Sequence, residues 1–223
     1  EETAEFLSRK IHIAKDPIVR EEYEMILLQG LLASKLSEKL VFKGGTALRL
    51  AYGSPRFSED LDFSLLTKIK QKDFENVVRG TVQSLPAVKI QELKEKYYTH
   101  FALLKIKEVY MKQAFSVKIE ISKRPVRWQK GKDFTELICR SEAVPLEAVG
   151  FVVTPERVFK DKKQAIKTRE KARDIFDLWW VGEKLKKPVS FEFSKSRLMK
   201  ARSELNQFLP EYMRKVVDGW RKR

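Results

Sequence analysis

The apolar positions of the first 65 residues switch period twice, which predicts a helix, a strand, a short helix and a second strand in that order. Asp16-Pro17 reads as a capping carboxylate followed by a ring that suits a first helical turn. Ile18, Ile26, Leu27, Leu31 and Leu36 continue at helical spacing, so a helix is expected from about 17 to 38. Leu40, Val41 and Phe42 form an apolar run that ends in Gly44-Gly45. Thr46 to Tyr52 then reads as a helix stopped by Gly53. Leu61, Phe63 and Leu65 alternate with Asp60, Asp62 and Ser64, the period of a strand with carboxylates on one face. Further on, Asp73 to Leu85 predicts a helix closed by Pro86. Val88 to Leu93, His100 to Ile106 and Ala114 to Ile121 predict strands. Lys123 to Glu142 shows little periodicity and reads as a loop or an interrupted strand. After Thr154-Pro155 the pattern becomes helical, with segments at Pro155 to Lys171, Arg173 to Leu185, Lys195 to Leu209 and Glu211 to Trp220. The expected organisation is an α/β (α+β) part over residues 1–153, with a mixed sheet and flanking helices, followed by a helical part over 154–223.

Charge sharpens this division. The 223 residues carry 46 Lys and Arg against 31 Asp and Glu, a net charge of +15. Residues 154–223 hold 20 basic and 10 acidic residues, and residues 1–153 hold 26 and 21. Such an excess favours polyanionic partners through counterion release, and it makes the C-terminal third the expected nucleic-acid-facing surface. Solvated helix faces are the plainer explanation of the same lysines. No apolar run approaches the roughly 20 residues of a membrane helix, and Glu1 to Lys10 has no apolar core of a signal peptide, so a cytoplasmic location is expected. One cysteine, Cys139, and two histidines, His12 and His100, cannot build a His/Cys zinc site. Any metal must therefore take oxygen ligands.

The chemistry concentrates in Lys43-Gly44-Gly45-Thr46 and Asp60-Leu61-Asp62. Two glycines between a strand and a helix let backbone approach a phosphate, and the helix N-terminus offers unpaired N–H groups and a positive dipole end. Aspartates at i and i+2 on a strand point to one face and can converge on a hard divalent cation. Glu120 stands on the polar side of Phe115, Val117, Ile119 and Ile121. It is either a third ligand of that cation or a solvated partner of Lys118 or Lys105. A phosphate cradle beside two or three carboxylates implies nucleotidyl transfer from a nucleoside triphosphate with Mg²⁺ or Mn²⁺.

The strings Phe42-Lys43-Gly44-Gly45-Thr46-Ala47-Leu48, Tyr52-Gly53 and Arg56-Phe57-Ser58-Glu59-Asp60-Leu61-Asp62-Phe63 closely resemble the AbiEii family of nucleotidyltransferase toxins, within the DNA polymerase β-like nucleotidyltransferase superfamily. A second block is similar too: Lys162-Lys163-Gln164-Ala165-Ile166, Arg169, then Arg173-Asp174-Ile175-Phe176-Asp177-Leu178. The resemblance runs from about residue 40 to 185. It implies a nucleotidyltransferase-like fold in which Lys43, Gly44, Gly45, Thr46, Ser58 and Arg173 bind the nucleotide, and Asp60 and Asp62 ligate Mg²⁺. It implies a catalytic role for Lys162 and Asp174, the lysine neutralising triphosphate charge with Lys163 as the alternative register. Glu120 stands where that family usually has aspartate. An antitoxin partner and an RNA acceptor such as tRNA are implied in the same way. Transfer to a protein, or RNA binding without catalysis, are the competing functions.

Other positions admit simpler readings. Asp174 and Asp177 have the spacing of surface ion pairs on a helix. His12, His100 and Cys139 have no context for catalysis, and Trp179-Trp180 reads as helix core with one edge residue. Trp128, near Arg124, Arg127 and Lys130, is a candidate for base stacking.

Overall fold

The computed structural model describes residues 1–169, 171–189, 191 and 194–220. Helices α1 (Glu2–Ile11) and α2 (Lys15–Leu32) lead into strand β1 (Leu40–Lys43), helix α3 (Gly44–Tyr52), strand β2 (Asp60–Leu65) and helix α4 (Gln71–Val82). Strands β3 (Val88–Lys96), β4 (Thr99–Ile106), β5 (Phe115–Ser122), β6 (Phe134–Arg140) and β7 (Glu147–Val153) follow. Helices α5 (Pro155–Thr168), α6 (Ala172–Lys184), α7 (Lys195–Asn206) and α8 (Glu211–Arg214) come last, and a 3₁₀ turn (Lys215–Trp220) follows α8. The strands form one seven-stranded sheet in the order β3-β4-β5-β2-β1-β7-β6. Two pairs, β1 with β7 and β2 with β5, are parallel and the others antiparallel, so the sheet is mixed as expected. No described helix is long and apolar enough to cross a membrane.

Strand alternation sorts this sheet into two faces. Leu40 and Phe42, then Leu61, Phe63 and Leu65, then Val117, Ile119 and Ile121 face a cluster built with α2 and α4. Val41 and Val153 face a second cluster, which takes Val158 from α5, Ile175 and Phe176 from α6 and Leu198 from α7. The 153/154 boundary falls at the β7–α5 junction, where the Thr154 hydroxyl caps α5 by accepting from the Arg157 N–H. Residues on both sides of that junction share the second core. Helices α2 and α4 pack on β3, β4 and β5 from the first face only, so the second face of these three strands has no helix in substantial contact among the described residues.

Several boundaries depart from the sequence pattern. Asp16 does not cap α2, because the helix begins one residue earlier and the N-cap is Ala14. The same helix stops at Leu32, not near 38. The Ser34 hydroxyl donates to the Leu31 carbonyl (2.7 Å) and accepts from the Leu36 N–H (3.1 Å), taking over groups that would continue it. The Lys123 to Glu142 region contains β6. Helix α1 and strand β7 were not foreseen: α1 buries only Ala4 and Leu7, and β7 carries a glycine at its centre. That glycine, Gly150, has a packing reason, since a Cβ there would lie 2.8 Å from Leu32 Cδ2 of α2.

Phe63 and Phe42 pack with ring centroids 5.2 Å apart, both fully buried directly beneath the row that carries Asp62. Phe63→Ala is expected to lower unfolding free energy by about 3–5 kcal/mol. Chemical denaturation of both proteins measures it, and a loss under about 1 kcal/mol would mean that this face of β2 repacks without cost.

Candidate active site

The register of the sheet assembles the polar row. Lys43 of β1 stands opposite Asp62 of β2, and Asp62 opposite Glu120 of β5. Asp60 pairs with Lys118 one row away. All five side chains are on the second face, at the point where the α5–α6 layer ends. They share a cleft of about 370 Å³ with Gly44, Gly45, Arg56, Ser58, Lys162, Arg169, Lys171, Arg173 and Asp174. Thus Lys43, Gly44, Gly45, Ser58, Asp60, Asp62, Glu120, Lys162, Arg173 and Asp174, separated by up to 131 positions in sequence, line one cavity.

The two glycines are required for different reasons. Gly44, the first residue of α3, has φ of +88°, and a Cβ on it would lie 2.8 Å from Asp62 Oδ2. At Gly45 a Cβ would lie 2.1 Å from Arg56 Nη2 and 2.8 Å from Ser58 Oγ. Bare backbone at the start of a nine-residue helix therefore forms the cleft floor, with its first-turn N–H groups free of side-chain capping. Thr46 corrects the sequence expectation. Its side chain is fully buried and its hydroxyl donates to the Asp60 carbonyl (2.5 Å), so it ties α3 to β2 and does not line the cleft.

Opposite the carboxylates, α5 and α6 build a wall of linked charges. Lys162 Nζ donates to Asp174 Oδ1 (2.7 Å) and Asp177 Oδ2 (2.6 Å), whereas Lys163 is exposed and outside the cleft. Arg56, from the loop before β2, reaches Asp177 with two bonds, from Nε (2.8 Å) and Nη2 (3.0 Å), and both residues are buried. Arg169 pairs with Asp174 at 2.9 Å, and Arg173 with Glu59 at 3.5 Å. The surface-pair reading of Asp174 and Asp177 is therefore overturned: both carboxylates lie beneath the surface with cations supplied by the loop before β2 and by α5 and its C-cap Arg169. The sequence reading assigns Arg56 no role of its own and takes Asp177 for a surface residue, and their partnership has no sequence signal because 121 positions separate them.

The electrostatics follow from this burial. Desolvation raises the Asp62 pKa, with Lys43 opposing and Asp60 reinforcing. Desolvation likewise lowers the Lys43 pKa against the pull of Asp62. For Asp177 burial acts upward, but Arg56 and Lys162 outweigh it and hold the carboxyl down at about 2. Lys118 bridges Asp60 Oδ2 (3.1 Å) and Glu120 Oε2 (3.3 Å). Burial lowers its proton affinity, but these two carboxylates override the effect and raise it. Among the described residues no three His, Cys, Asp or Glu side chains are gathered tightly enough to enclose a metal. The donor set nevertheless suits Mg²⁺, which is normally held by one or two carboxylates together with waters and substrate phosphates. The Lys118 ammonium already stands between two of the carboxylates as a stand-in cation.

The other candidates lie elsewhere. His100 is buried with Nδ1 2.6 Å from Gln71 Oε1, and burial lowers its pKa. Cys139 is fully buried, its thiol pushed up to about 12 by desolvation. His12 is exposed beside Glu211 at 3.7 Å. Trp128 carries the Arg157 guanidinium 5.2 Å from its ring centroid, so one face is already covered.

Comparison with known proteins agrees with this geometry. Residues 26–212 match the family described as "Nucleotidyl transferase AbiEii toxin, Type IV TA system". In fold the chain is similar to JHP933 from Helicobacter pylori, at 24% identity and TM-score 0.57, over 86% of this chain and 74% of that one. A second H. pylori structure matches at 24% identity and TM-score 0.54, over 91% and 83%. MenT4, the nucleotidyltransferase toxin Rv2826c from Mycobacterium tuberculosis H37Rv, matches at 20% identity and TM-score 0.52, over 88% and 75%. Among curated proteins none matches.

Two tests follow from the wall and the bridge. Because the Asp177 pKa lies below the 3.8 of a free aspartate, its stabilisation is complete above that pH and is lost as pH falls from about 3.8 towards about 2. Asp177→Asn should therefore lose stability at neutral pH and flatten the stability profile across that window. An acid limb as steep as wild type would place the titration elsewhere. Lys118→Met removes the bridging ammonium and should raise Mn²⁺ affinity in the absence of nucleotide by roughly tenfold, measured by calorimetry. A fall in affinity would show that Lys118 positions the carboxylates and does not compete for them.

Proposed function

Because this chain belongs to the AbiEii family of nucleotidyltransferase toxins, we propose that it transfers a nucleoside monophosphate from an NTP to an RNA acceptor, tRNA-like in class, with Mg²⁺ or Mn²⁺. The observation that carries this reading is the meeting, in one cleft, of a side-chain-free helix N-terminus, a carboxylate row and a cationic wall.

In this reading the triphosphate lies over the first turn of α3, where the N–H groups of Gly44 and Gly45 and the Ser58 hydroxyl donate to phosphate oxygens. Lys43, Lys162, Arg169 and Arg173 balance its charge, and Asp174 and Asp177 hold Lys162 in place from behind. Asp60 and Asp62 would hold the metal, with Glu120 as a third donor. When bound, that ion supplies charge neutralisation on the phosphates and lowers the pKa of the attacking hydroxyl. The acceptor hydroxyl enters from the carboxylate side. Its oxygen bonds to the α-phosphorus as the bond to pyrophosphate breaks, and the released proton has carboxylate acceptors in the same row. Residues 1–153 supply the floor and the carboxylates. Residues 154–223 supply the wall.

The net charge of +15 supports a polyanionic acceptor, and the family description supports a cognate antitoxin protein. A cytoplasmic setting, where tRNA and NTPs are present, belongs to the same proposal.

Incubating the protein with each labelled NTP, Mg²⁺ and total tRNA should place label in RNA. Asp60→Ala should reduce transfer by roughly a thousand-fold, the several kcal/mol that a metal contributes. Label in polypeptide in place of RNA would refute the acceptor. Transfer that survives chelation of divalent ions would refute the metal.

A further inference from the structure

The cleft is walled on one side only. From Glu120 outward, the same face of the sheet continues over β5, β4 and β3 as Phe101, Leu103, Lys94 and Lys96, and no helix is in substantial contact with it among the described residues. Register places Lys94, Phe101, Glu120, Asp62 and Lys43 in a single row across five strands. Lys89 and Lys105 face each other on the same side further along the β3–β4 ladder. On this face the two outer strands carry one carboxylate, Glu92, which is already paired with Lys94; the other, Glu95, stands opposite His100 on the first face and pairs with Lys123.

Where the β3–β4 hairpin turns, the chain exposes two aromatic rings. Tyr97 is 83% and Tyr98 50% exposed, packed edge to face at 4.4 Å. Arg124 lies over the Tyr98 ring at 4.9 Å, and behind the tip Lys94 and Lys96 cover the ring of Phe101, which is buried beneath them, Lys96 at 3.3 Å. The Lys123 N–H donates to the Tyr98 carbonyl (2.8 Å), so the tip stands about 10 Å from Glu120, three residues of strand rise.

Exposed tyrosines interleaved with lysine and arginine on an open sheet face form the arrangement that stacks bases and tracks phosphates of a single strand. An acidic peptide would satisfy the cations but would make no use of stacked rings. We infer that the bare second face of β3–β5, with Tyr97 and Tyr98 at its tip, is the track along which a single-stranded RNA end reaches the carboxylates. This assigns the acceptor to the sheet and leaves the cations of α5 and α6 to the nucleotide. It rests on the reading of the cleft as an RNA nucleotidyltransferase site.

The test measures RNA binding separately from transfer. The probes are a fluorescein-labelled single-stranded RNA of about 12 nucleotides and total tRNA. Each is titrated into the full chain, into a Tyr97→Ala/Tyr98→Ala variant and into a Lys94→Glu/Lys96→Glu variant, with thermal melts as the check on folding. The tyrosine variant should bind the short RNA about tenfold more weakly, the usual worth of a base stacked on an aromatic ring. The lysine variant should weaken binding and reduce its salt dependence by about two phosphate contacts. Unchanged affinity in both variants, with wild-type melts, would overturn the track. So would selective loss in a Lys195→Glu/Lys200→Glu variant on α7. If the wild-type protein transfers label to tRNA while the hairpin variants match it in acceptor KM, the track alone fails. If the wild type binds no RNA and labels protein, the acceptor reading fails with it.

Discussion

The buried pair between Arg56 and Asp177 is the constraint on which the cleft depends. Arg56 leaves the loop before β2, Asp177 belongs to α6, and their two hydrogen bonds join the sheet to the helical wall across a region closed to solvent. Charges at such a depth are tolerated only when paired, and removing one partner strands the other. The consequences spread outward from this contact. Asp177 orients Lys162, and Lys162 meets Asp174, so one buried carboxylate sets the positions of the wall's inner charges. On the sheet side the Arg56 guanidinium lies where a Cβ of residue 45 would be, which makes glycine the residue that fits. The bare backbone of the floor and the cationic wall are thus two results of one ion pair.

A second constraint is the uneven covering of the sheet. Over β1 and β7 the second face is buried by α5, α6 and α7, and over β5, β4 and β3 no helix is in substantial contact with it among the described residues. Clefts form where a layer ends, because the last covered strand and the first uncovered one expose different environments to the same space. Lys43 on β1 is on the covered side of that boundary and Glu120 on β5 on the open side, with Asp62 between them. Parallel pairing of β2 with β5 brings Asp62 beside Glu120 across 58 residues of sequence, a contact that neither strand's own pattern specifies.

The legibility of the chain divides along the same line. Strand alternation exposed the carboxylates, since a period of two assigns Asp60, Asp62 and Glu120 to polar faces whatever the topology. Gly44-Gly45 was readable because only a few backbone situations call for two glycines between a strand and a helix. The role of Thr46 was not readable, since its hydroxyl is spent on a carbonyl of β2 and only the fold reveals that contact. Asp177 looked like a solvated helix residue because its cations come from the loop before β2 and from α5. Strand β7 was obscured by Gly150, whose presence reflects Leu32 of α2 and not the local pattern. Local chemistry was visible in the sequence, and the long-range pairing that gives it meaning was not.

The charges of the cleft are held in an incomplete state. Burial disfavours the ionised form of Asp62 and of Lys43 alike, although each is the other's neighbour across the β1–β2 ladder. Lys118 reduces the strain on Asp60 and Glu120 by standing between them, but an ammonium offers one charge where two carboxylates converge. In the proposed function, a divalent cation bound to a triphosphate would supply what is missing on both sides, positive charge for the carboxylate row and negative charge for Lys43, Lys162 and Arg173. Each new counter-ion is then worth more than it would be in water, because the groups it meets have already lost their solvent. On that proposal metal and nucleotide would bind cooperatively: neither ligand alone would satisfy both halves of the cleft, and each would make the other's site more favourable.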